Sequence, residues 1–204
     1  VRGQPQVVHA RDVLFDAFFG LRSGGSQRWL TSQDVDMDAS GYAPWDFGKS
    51  GGTGLTQMVQ RVGTLEVTTF VYAPRLLPHA SFIMALRVRN TGTAPATGVS
   101  VFSLQNFHLG SGRPGVMSEI DENGETVEVN ANDFIEKGFA GVVVARPLGP
   151  VARKAAWVSG ATGAGNGYNV VQGGGGQDLQ DFTAQPSVAK GWATAYQFNL
   201  GDIP

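Results

Sequence analysis

The chain has 204 residues, 29 of them Gly, 10 Pro and none Cys; 16% are charged and the net charge is -2. A hydrophobic share of 42% supports a sizeable core, and about 200 residues suit one domain. Without Cys there is no disulfide scaffold, thiol catalysis or Cys-ligated metal; the charge balance argues against nucleic acid, and no apolar run nears the roughly 18 residues of a membrane helix.

Taken in chain order, residues 12–21 come first. Phe15, Phe18 and Phe19 there suit a short helix and a strand equally well. Residues 31–56 read as a long loop holding Asp34, Asp36 and Asp38. Residues 65–72 alternate, with Leu65, Val67, Thr69 and Val71 on one face of a strand. In the next strand Phe82, Met84, Leu86 and Val88 share a face, with Arg87 and Arg89 opposite. Asn90-Thr-Gly92 then makes a turn. Val99–Leu109 and Phe139–Arg146 are apolar on both faces in places, which predicts central strands covered on both sides. Asp121-Glu-Asn-Gly124, ahead of Thr126–Val129, is a hairpin signature, because Asn-Gly tolerates the positive φ angles of such turns. Residues 159–177 form a second loop, rich in Gly. Trp192, Thr194, Tyr196, Phe198 and Leu200 make a last stripe, with Gln197 and Asn199 opposite. The pattern predicts a single all-β domain over 1–204, a large antiparallel β-sandwich of about ten to fourteen strands with few or no helices. The chain begins at Val1 without an initiator Met, so it reads as a fragment of a longer protein.

Charge divides along the chain. Residues 1–113 carry a net +3 and residues 114–204 a net -5, with seven acids between Glu119 and Glu136. That run reads as a solvated hairpin face or as a cation site. Asp34, Asp36 and Asp38 have the alternate spacing of calcium loops. Ala39 stands where such a loop would turn, and Trp45 stands where it would carry Glu, so a solvated loop accounts for these residues too. Calcium is the one cofactor the spacing points to. Gly48-Lys-Ser-Gly-Gly52 fits fragments of phosphate-loop and nucleophile-elbow patterns, but neither helix nor strand context surrounds it. The three His lack ligand spacing. His108, in Asn106-Phe-His-Leu109, reads as a hydrogen-bonded core or interface residue or as a sugar contact. Tyr42 and Trp45, in Tyr42-Ala-Pro-Trp-Asp46, are the aromatics least easily assigned to a core. Flat rings of this kind match the apolar face of a pyranose.

Three segments carry a family resemblance: Thr64-Leu-Glu-Val-Thr-Thr-Phe-Val-Tyr-Ala-Pro74, Ser81-Phe-Ile-Met-Ala-Leu-Arg-Val-Arg-Asn-Thr-Gly92 and Ala94-Pro-Ala-Thr-Gly-Val-Ser-Val101. Together they resemble the N-terminal β-sandwich of bacterial glucoamylase-like and cellobiose-phosphorylase-like enzymes, within 57–109. The resemblance implies a supersandwich of the galactose-mutarotase-like kind. It also implies that the acid and base lie on a separate helical barrel, C-terminal to this chain, so no catalytic residue is carried over. The expected function is a non-catalytic module of a glycoside hydrolase or phosphorylase that supports or shapes the cleft of its catalytic domain, with carbohydrate as the partner. A glycan-binding or adhesion module of a secreted or surface protein is the first alternative. An independent mutarotase- or lyase-like sandwich enzyme is the second.

Overall fold

The computed structural model of the chain describes residues 14–30, 54–73, 83–107, 126–138, 141–158, 176–183 and 192–204. Every regular element among them is a strand: β1 (Leu14–Ser23), β2 (Ser26–Trp29), β3 (Gly54–Val62), β4 (Leu65–Ala73), β5 (Ile83–Asn90), β6 (Ala96–Phe107), β7 (Thr126–Asn130), β8 (Asp133–Gly138), β9 (Gly141–Ala145), β10 (Arg153–Val158), β11 (Phe182–Thr183) and β12 (Trp192–Ile203). The described residues are all-β, as the alternation predicts. The segment that suited helix and strand equally is strand β1, which lies between β2 and β6.

Three sheets result: β11-β10-β12-β6-β1-β2, β3-β4-β5 and β7-β8-β9. Antiparallel pairing joins β1 to β2 and β6, and β10 to β12. The two-residue β11 runs parallel to β10. The described residues group into two compact units, one drawn from Val1–Trp29 and Gly98–Leu200, the other from Leu30–Thr97 and Gly201–Pro204. Strands β6 and β12 contribute residues to both.

In the first unit the six-stranded sheet packs on the β7–β9 sheet. Phe134, Ala156 and Tyr196 form the buried cluster between them, extended by Val127, Ala145, Val151 and Phe198. The Phe134 and Tyr196 rings lie 5.1 Å apart. Burial pushes the Tyr196 hydroxyl well above its ordinary pKa of 10, so it stays a proton donor. It lies 2.8 Å from Ala145 O and 2.9 Å from Asn132 O, and its one proton goes to either carbonyl. The opposite face of the six-stranded sheet buries Phe102, Leu104, Ala155, Ala193 and Ala195, and Leu179 packs onto it. Alanines at paired positions 155 and 195 leave a shallow seat for that leucine.

Residues Val99 to Gln105 of β6 are all buried, as expected of a strand covered on both sides. One expectation needs correction. The apolar run at 139–146 contains β9, the outermost strand of its sheet among the described residues. Val142 and Val144 there are 61% and 51% exposed. Its apolar residues are therefore not those of a central strand covered on both faces. In β12 the face opposite the aromatic stripe is buried at Ala193, Ala195 and Gln197, where the segment around Leu179 lies over it, and exposed at Asn199.

Candidate functional site

Two groups of polar side chains stand out, one in each unit. The first lies on the Phe102 face of the six-stranded sheet. Arg22 of β1 is paired with Ser100 of β6, and its guanidinium stacks 5.3 Å from the Phe102 ring centroid. It donates to Gly176 O (2.9 Å), to Ser100 Oγ (3.3 Å) and to the Asp178 carboxylate. The Gln197 amide donates to Asp178 Oδ1 (2.7 Å) and Asn199 Oδ1 (2.8 Å), and its carbonyl accepts from Leu179 N–H at 2.8 Å. Asp181 accepts from Lys154 N–H (3.0 Å) and Arg153 (3.1 Å). Donation from Arg22 and then Gln197 holds the Asp178 carboxyl below its ordinary value. The Lys154 backbone N–H does the same for Asp181. The bonds to Gly176, Asp178, Leu179 and Asp181 tie segment 176–181 to the sheet. The network is a clamp: its polar groups face one another rather than an open cleft.

The second group lies on the β3–β5 sheet. A two-residue hairpin with Gly63 at φ +58 joins β3 to β4, the position that glycine favours in such turns. One face of this sheet carries Leu65, Val67 and Thr69, all buried, with Met84, Leu86 and Val88 beside them in β5. Period-two alternation sends the neighbouring residues to the other face. There Arg61, Glu66 and Arg89 form a row across the three strands. Arg87 pairs with Thr68, one step along the strand, and Phe70 and Tyr72 continue the same face on β4. The three arginines are exposed, and the two aromatic residues are half-buried. No hydrogen bond or ion pair joins Arg87 or Arg89 to another described residue. These groups keep their donors for solvent or a ligand. Guanidinium forks match carboxylates bidentately, Glu66 accepts from hydroxyls, and aromatic rings pack on apolar sugar faces.

The residues singled out from sequence, Asp34, Asp36, Asp38, Tyr42, Trp45 and His108, all lie outside the described residues, as do most of both long loops. Among the described residues no three His, Asp or Glu side chains gather as a metal site. Sequence reasoning placed Arg87 and Arg89 opposite an apolar stripe but missed the row that Arg89 belongs to. That row depends on the register aligning Arg61, Glu66 and Arg89, which no single-strand pattern contains. Comparison with family models, with curated proteins and with solved structures found no match for the chain.

Proposed function

We propose that this chain is a non-catalytic β-sandwich module that binds carbohydrate and serves a catalytic domain elsewhere in a carbohydrate-active protein. The observation that carries this reading is one face of the β3–β5 sheet, where the open donors of Arg87 and Arg89, the Glu66 carboxylate and the half-buried rings of Phe70 and Tyr72 share one side around the buried Thr68. A sugar polymer offers a partner to each: hydroxyl oxygens for the donors, hydroxyl protons for the acceptor, C–H faces for the rings. The resemblance of residues 64–101 to the sandwich domains of glucoamylase-like enzymes supports the same reading. The test is affinity electrophoresis of the full chain through gels containing soluble polysaccharides, neutral and charged. At least one should retard it, and Tyr72→Ala should reduce the retardation several-fold. If no polysaccharide retards the chain, the reading is wrong.

A further inference from the structure

Resting on that reading, we infer that the ligand of the β3–β5 face is an acidic glycan, a polymer of uronic acids bound through its carboxylates. Arg87 and Arg89, both exposed and with no partner among the described residues, share this face with Glu66, so its β5 side is locally cationic on a chain whose net charge is -2. Arg87 and Arg89 stand two residues apart on one strand, about 7 Å along it, and point the same way. A pair of free forks at this interval suits a flexible polymer with a carboxylate on every unit better than a single anion. In a uronate, one ring supplies a planar carboxylate for an arginine, hydroxyls for Glu66 and a C–H face for Phe70 or Tyr72.

Glu66 decides between this ligand and single-stranded nucleic acid, the other polymer that pairs arginine with aromatic rings. Its carboxylate repels either polyanion, but a uronate's sugar hydroxyls donate hydrogen bonds to it, whereas a phosphodiester backbone has no proton to give it.

The experiment compares polygalacturonate with the same polymer methyl-esterified, which keeps the backbone and removes the charge. Dextran sulfate and a single-stranded oligothymidine serve as further probes. The full chain should bind polygalacturonate about tenfold or more tightly than the esterified polymer, and raising the salt should weaken binding. Arg87→Gln with Arg89→Gln should remove most of the preference. Both side chains are exposed, so the fold should hold, as circular dichroism would verify. Arg89→Lys, which keeps the charge and loses the fork, should fall between. Equal binding of the charged and esterified polymers would overturn the acidic-glycan inference and leave the carbohydrate reading standing. Binding to none of the polysaccharides would overturn both. Tighter binding of dextran sulfate or the oligothymidine than of polygalacturonate would also overturn the inference, as would an unchanged preference in the folded double variant.

Discussion

At Gly92 an added Cβ would lie 2.9 Å from Thr64 Cγ2 and 3.2 Å from Asn90 Oδ1. The residues around it explain that crowding. Asn90 donates to Ala94 O (2.7 Å) and Ile203 O (3.3 Å), and its Oδ1 accepts from Gly92 N–H (3.0 Å). Thr91 donates to Thr64 O through its backbone N–H and its hydroxyl, both at 2.8 Å. Asn90-Thr-Gly92 is therefore a brace: amide, hydroxyl and absent side chain each have a stated task. Gly92→Ala should destabilise the chain by about 1–3 kcal/mol through overpacking, read as a lower midpoint in chemical denaturation with an unchanged slope. A midpoint equal to that of the parent would mean that Thr64 yields freely. Ala131 shows the converse. It holds φ +51 at the first central position of the turn joining β7 to β8, where glycine is usual. Lys154 donates to its carbonyl, and Tyr196 reaches the carbonyl of Asn132 beside it. Asn130, Asn132 and Asp133 are turn formers, but no glycine marks the positive φ, which bonds from distant residues help to hold.

Among elements, the clamped segment 176–181 shows how a stretch without regular structure is held. Leu179 fills the seat over Ala155 and Ala195, while Arg22, Gln197 and the Lys154 backbone fix its flanks. Both carboxyls involved are held below the ordinary value of 3.8 in the folded chain. Their bonds therefore stabilise the fold above that pH, and the contribution is lost as pH falls through the depressed folded values. The exposed Asp133–Arg146 pair, with its Asp133 carboxyl lowered chiefly by the Arg146 hydrogen bond, has the same sign. The melting temperature should accordingly drop as pH falls from about 4.5 to 2.5. Asp178→Asn with Asp181→Asn should lower it at pH 7 and flatten the acid limb. An acid limb as steep in the double variant as in the parent would remove the clamp from the explanation.

For the molecule as a whole, alternation made the strands legible. Residues 65–72, 83–88 and 192–200 needed only a period of two, since one face of each is apolar. Sheet membership was not legible, because β1 finds β6 and β10 finds β12 across long stretches of chain, and no local pattern names a distant partner. For the same reason the arginine row was invisible although each of its members was in plain view. The apolar run at 139–146 misled because an edge strand and a central one can share a composition. That edge has a further cost. The outward valines of β9 sit beside backbone groups that no described strand pairs, and such a border invites another copy of the chain to add a strand of its own. Crowded solutions should therefore cloud first through β9. Val144→Lys, which places a charge on the border and leaves the core untouched, should delay the onset of light scattering at high protein concentration while shifting stability by no more than about 0.5 kcal/mol. An unchanged onset would show that aggregation starts elsewhere.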